Sequence, residues 1–186
     1  MKRFFYLFWV ILCGMPGVSQ AENPELRTRL QTEKKCLKCD FQYTDWQQAD
    51  MTGFDLSGAI LYKCQMQGVK LVGSRLVWTN LEHADLSGAD LSRADLTGAD
   101  LRQVNLTRAN LVKAYVYGAN MAGVQAGEAD FSNAFLKGVN LTGADLRSSN
   151  LKGANLERAV LTNTLLGNAI WSDGRKCLPE SKGTCQ

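Results

Sequence analysis

From Cys39 to Asp173 the chain repeats one five-position pattern without a slip. A small residue is followed by a polar one, a large apolar one and two more mostly polar ones, through 135 residues or 27 blocks. The large position is Leu in 18 blocks and the small position is Ala in 15. A leucine every fifth residue fits neither common element. Five helical steps of about 100° advance it by about 140° net, so the leucines would scatter around the cylinder. A flat strand alternates with period two. The first and third positions are two apart, however, so on a short extended segment they point the same way, with the second pointing outward. Something must then turn the chain. The fifth position is Gly in 11 blocks, among them Gly88, Gly98, Gly143 and Gly153, and glycine turns at low steric cost. Each block therefore predicts one short side and one corner of a coil.

Coils of this kind stack through backbone hydrogen bonds at about 4.8 Å. The leucines then stack along a dry centre, each stabilised by about 1.5–3 kcal/mol relative to exposure. A single coil has no partner for its backbone, so stability needs the stack. Nine large positions depart from Leu: Phe41, Trp46, Met51, Met66, Val116, Met121, Ala126, Phe131 and Trp171. Met121 and Phe131 are expected to fill the space that Ala126 leaves. Phe54 is the one large residue at a small position.

The blocks, for example ADLSG at 84–88 and ADLTG at 94–98, resemble the A(D/N)LXX pattern of the pentapeptide-repeat family over residues 39–173. The resemblance implies an all-β solenoid, a right-handed quadrilateral β-helix with four blocks to the coil. The 27 blocks then make about seven coils, a rod of about 30 Å.

The remaining segments divide at 1–21, 22–38 and 174–186. Lys2 and Arg3, the apolar run Phe4 to Cys13, the break at Pro16-Gly17 and the small residues before Ala21 read as a secretory signal peptide cleaved after Ala21. An uncleaved anchor and a lipid-modified Cys13 are the alternatives. Asn23-Pro24-Glu25 reads as a helix start, predicting a short capping helix over about 24–33. The 174–186 tail abandons the repeat. Losing Lys2 and Arg3 with the signal leaves 19 basic residues against 18 acidic, a net charge of +1. That balance argues against both a polyanionic nucleic-acid mimic and a basic nucleic-acid binder.

Export permits disulfides. Five cysteines remain after cleavage. The expected pairs are Cys36–Cys39 and Cys177–Cys185, one at each end of the fold, with Cys64 a buried thiol. Pairing of Cys64 with Cys36 or Cys39 is the rival. Nothing thioredoxin-like surrounds Cys36-x-x-Cys39, and the single histidine, His83, has no second cysteine pair at ligand spacing, so no zinc site is expected. Neither a catalytic acid–base pair nor a cofactor site is legible.

Stacking places residues twenty apart in outward columns. The second-position acids alternate with amides or lysine, as in Asp50, Lys70, Asp90, Asn110 and Asp130, which keeps like charges apart and reads as a solvated face more than as a calcium ladder. One column carries Tyr115 and Phe135 in succession. Arg75, Tyr117, Lys137 and Trp78 share that side, a candidate interaction surface for a protein partner. Val160, Leu165 and Ile170 occupy outward positions on the last coil, where either the tail covers them or two rods meet as a homodimer. The function expected is a non-enzymatic binding or scaffolding rod outside the cytoplasm: periplasmic, secreted or, in a photosynthetic source, in the thylakoid lumen. The family resemblance also implies an alternative, a duplex-DNA mimic binding DNA gyrase and conferring quinolone resistance. The export signal and near-neutral charge oppose that reading.

Overall fold

The computed structural model describes residues 29–186; the expected signal peptide, residues 1–21, and the first part of the expected capping helix lie outside them. What is described of that helix is a five-residue π-helical turn, Arg29–Glu33, whose Leu30 is buried in the core.

From Lys35 to Asn150, each second-position residue forms a parallel bridge with the residue twenty positions later. Four such rungs occur per twenty residues, so the coil has four sides. One column runs Lys35, Asp55, Arg75, Asp95, Tyr115, Phe135, Asn155. The same three bonds recur on each side: the second-position N–H donates to the coil before, while third- and fifth-position N–H groups donate to the coil after. Asp90, Leu91 and Arg93 show them, donating to Val69, Asn110 and Val112 at 2.9, 2.7 and 3.0 Å. Each side is thus one residue of ladder and a turn, closed by a bond such as Ala94 N–H to Leu91 O at 3.0 Å. At every fifth position from Lys38 to Asn168 the backbone is left-handed, including Trp78, His83 and Arg108, with φ near 60°. Glycine is therefore favoured there but not required: Asn, Lys, Arg and Gln accept the strain in exchange for a side chain at the corner.

The first and third positions turn inward, forming a continuous core from Leu30 to Ala169. Ala126 is fully buried between the equally buried Met121 and Phe131. Phe54 is buried at its small position, with Lys34 Nζ 6.0 Å from its ring centroid. Where Ser or Thr occupies the small position, its hydroxyl donates to the carbonyl three residues earlier, as Ser74 does to Leu71 at 2.7 Å, except at Thr164, which donates to Leu141 O one coil back at 2.8 Å. The buried polar atom is thereby satisfied.

Cys36 is joined to Cys39 and Cys177 to Cys185. Cys64 is free and buried, its sulfur donating to Phe41 O at 2.9 Å beside Thr44 Oγ1 at 3.4 Å. Burial pushes this thiol up from its ordinary value. Thiol titration of the disulfide-intact chain without residues 1–21 is therefore expected to find one reactive group, and only after unfolding. A thiol that reacts rapidly in the native protein would contradict this.

The tail doubles back over the terminal coil. It makes antiparallel bridges at Leu165–Lys182 and Ile170–Lys176. Of the three outward apolar residues at this end it therefore pairs with two strand positions. Val160 has no such pairing and is 46% exposed; Ile170, although its backbone is paired, keeps a side chain 38% exposed, and Leu165 is half-buried.

Candidate functional site

The side that carries Tyr115 is built by the ladder itself. Tyr115 and Phe135 are adjacent rungs, and their rings stack at 4.8 Å between centroids, 2° from parallel. Tyr117, from the same block as Tyr115, lies 6.2 Å from the Tyr115 ring and 5.9 Å from that of Phe135. The three rings form one cluster, with Tyr115 42% exposed. Cross-strand aromatic pairs stabilise a ladder, yet an aromatic group left this open to water is also suited to a partner. Lys137, the next residue in the column of Tyr117, pairs with Glu157 at 3.0 Å. Arg75 lies 3.9 Å from Asp55. Trp78, 72% exposed, folds its ring over the next corner, where a side chain at Gly98 would collide with it. Of the residues singled out on this side, the structure gathers Tyr115, Tyr117 and Phe135 into contact. Lys137 is tied to Glu157, and Arg75 and Trp78 lie nearer the start.

A second aromatic group was not anticipated from the columns. On the adjoining side Tyr43 packs edge-on against Tyr62 at 5.7 Å, and Tyr62 against His83 at 5.8 Å. Lys63 Nζ lies 5.2 Å from the Tyr62 ring centroid, and His83 stands 3.9 Å from Glu82. These residues alternate between fifth and fourth positions, so they meet diagonally rather than within a column. The relation that finds them is the bond from Tyr43 N–H to Tyr62 O at 3.0 Å, nineteen residues on.

The acids hold the corners. Asp90 Oδ1 accepts the N–H of Ser92 at 3.0 Å and the side chain of Asn110, one coil on, at 3.1 Å. Asp85 and Asp130 do the same with Asn105 and Asn150 at 3.0 and 3.2 Å. The Asp–Asn alternation is therefore a bonded ladder: amide nitrogen donates where a second carboxylate would repel. Arg102 bridges Glu82 and Asp100 at 3.0 and 2.7 Å. Among the described residues no group of three or more His, Cys, Asp or Glu could hold a metal, and no helix is long and apolar enough to cross a membrane.

The hydrogen bond from Thr52 holds Asp50 below the usual carboxylate range, and that from Arg147 does so for Asp145. At Asp55 and Asp100 partial burial pushes upward, but hydrogen bonds from Ser57 and Arg102 outweigh it. Carboxyls depressed in the folded state contribute stability above their unfolded value, about 3.9, and lose it as pH falls through the folded values. The melting temperature should thus hold down to about pH 5 and then fall steeply. Asp145→Asn should flatten that fall, and an unchanged acid limb would refute the assignment.

Comparison with known proteins follows this geometry. The family described as pentapeptide repeats matches residues 36–73, 74–111, 84–123 and 127–163. Curated proteins give no match. Among solved structures, the pentapeptide repeat protein Rfr23 from the cyanobacterium Cyanothece 51142 is 26% identical, over 79% of this chain and 97% of that one, with a TM-score of 0.43. QnrB1, a plasmid-mediated fluoroquinolone resistance protein, is 18% identical over 67% and 81%, at 0.34. A pentapeptide repeat protein from the Arabidopsis thaliana thylakoid lumen is 35% identical over 60% and 65%, at 0.16. With the repeat matched across most of the chain, this protein belongs to the pentapeptide-repeat family, whose members fold as right-handed quadrilateral β-helices and are generally structural or binding proteins.

Proposed function

We propose that the chain is an exported, non-enzymatic rod of the cell envelope, about seven coils long, that binds a protein partner through its aromatic side. The observation that carries this reading is the open cluster of Tyr115, Tyr117 and Phe135 on a rigid ladder. Interface cores are enriched in such rings, and a solenoid holds them in fixed rows at no further ordering cost. Residues 1–21 supply the export reading through their charged start, apolar run and small residues before Ala21. The gyrase alternative needs a strongly acidic surface, and here amides interrupt the acid columns.

Capture from the envelope fraction of the source organism tests the proposal. Wild-type bait should retain a protein that the Tyr115→Ala, Phe135→Ala double variant does not, with both baits equally folded by circular dichroism. Equal retention by the two baits, or none by either, would overturn it.

A further inference from the structure

The terminal coil is capped on two of its four sides. At Leu165, the N–H of Leu166 donates to Ser181 O at 2.9 Å and Gly183 N–H donates to Thr164 O at 2.8 Å. At Ile170, Trp171 N–H donates to Arg175 O at 2.7 Å and Cys177 N–H to Ala169 O at 2.8 Å. The tail thus adds one antiparallel strand layer, register centred on the outward second position. The other two sides, centred on Asn155 and Val160, present the same groups: the carbonyls of Ala154 and Ala159 and the N–H groups of Leu156 and Leu161. None of these four bonds to a described residue, nor do the N–H groups of Arg158 and Asn163. The equivalent groups one coil earlier are all bonded; Leu136 N–H donates to Asn155 O and Leu141 N–H to Val160 O. Leu156, Ala159 and Leu161 beneath this edge are only partly buried.

We infer that this open edge is a docking site for an extended segment of another protein, continuing the half-filled layer that the tail begins. Strand addition to an exposed ladder edge is a recurring mode of peptide recognition. The tail defines the side-chain pattern such a segment needs. Lys176 and Lys182, opposite Ile170 and Leu165, point outward and are exposed, while their neighbours Cys177 and Ser181 turn inward and are buried. A segment on the open sides would likewise alternate, its apolar residues lying over Leu156 and Leu161. Its outward residues would be acidic. From Lys152 to the end the chain has five basic residues and three acidic ones; at the corner between the two open sides Arg158 has 80% of its side chain exposed and pairs with Glu157 at 3.6 Å, with which Lys137 also pairs at 3.0 Å, so the excess charge here is positive. A second copy does not fit as well. Stacked end-on in coil register, its four sides would need the layer above Leu165 and Ile170, which the tail fills.

The open edge begins one rung beyond Phe135, at Asn155, but it offers backbone groups and not rings, and the inference goes beyond the function proposed above. The test is selection of a phage-displayed library of linear peptides on the disulfide-intact protein, followed by amide hydrogen exchange with the best synthetic peptide. In the free protein Leu156, Arg158, Leu161 and Asn163 amides should exchange rapidly, against slow exchange at Leu136 and Leu141. The peptide should slow them at least about tenfold. It should alternate apolar and acidic residues and bind Arg158→Glu about fivefold more weakly. Leu161→Pro, which removes an edge donor, should abolish binding; Leu161→Ala, which keeps the N–H and loses only part of the apolar surface, should weaken binding without abolishing it. Tyr115→Ala alone, two rungs from the edge, should lose the captured partner yet bind the peptide as wild type does, so failure of either proposal is separable from the other. The inference is overturned if no peptide is enriched, if protection falls on other amides, or if the edge amides of the free protein are already slow. Protection that grows with protein concentration would instead assign the edge to a second copy.

Discussion

Leu91→Ala should lower unfolding free energy by about 2–5 kcal/mol, the range for truncating a buried leucine. Leu91 is fully buried in a column with Met51, Leu71, Leu111 and Phe131, all equally enclosed. The coils above and below are pinned by their own ladder bonds, so neighbouring side chains have little room to collapse into the void, which favours the upper part of that range. The neighbour Ser92, a fourth-position residue on the water side, provides the contrast: Ser92→Ala should change stability by no more than about 0.5 kcal/mol. Urea midpoints of the two variants measure the difference. A cost below about 1 kcal/mol at Leu91 would mean that the rod's axis is not a dry, close-packed core.

The second large effect concerns Ala126 and Phe131. Phe131→Leu alone leaves a void against a position already as small as alanine. Ala126→Leu alone forces extra methylenes into a full layer, at about 1–3 kcal/mol. Made together, the two restore the Leu pattern that most coils use, and each should relieve the other. A double-mutant cycle should therefore show favourable coupling of at least about 1 kcal/mol. Strictly additive costs would mean that the two residues do not share the layer, and that Ala126 is accommodated by some other neighbour.

The period of five made the inward and outward positions legible, because it has one solution for a chain that must bury one small and one large residue per side. The Asp–Asn columns were legible for the same reason: they need only the twenty-residue register and the sign of a charge. The Tyr43–Tyr62–His83 group was not, since it depends on which way a left-handed corner aims its side chain, and that is set by φ and rotamer together. The ring of Trp78 over Gly98 was hidden likewise. At the far end, sequence reading left Val160, Leu165 and Ile170 to be covered either by the tail or by a second rod. Residues 174–186, closed by the Cys177–Cys185 bond, pair with the backbone at Leu165 and Ile170, and the path of such a loop is not written in a periodic pattern. The aromatic column was visible early, but that Tyr115 and Phe135 lie face to face required the ladder.

Because each rung joins residues twenty apart while the chain changes direction every five, the rod has two separately adjustable dimensions. Inserting or deleting four blocks changes its reach and leaves every face pointing where it did. Removing a single block between Trp78 and Tyr115 would swing the whole Tyr115–Phe135 stack a quarter turn away from Trp78 with the core chemistry unaltered. Homologous rods can thus re-aim a surface through changes in length alone, without any substitution in the surface itself.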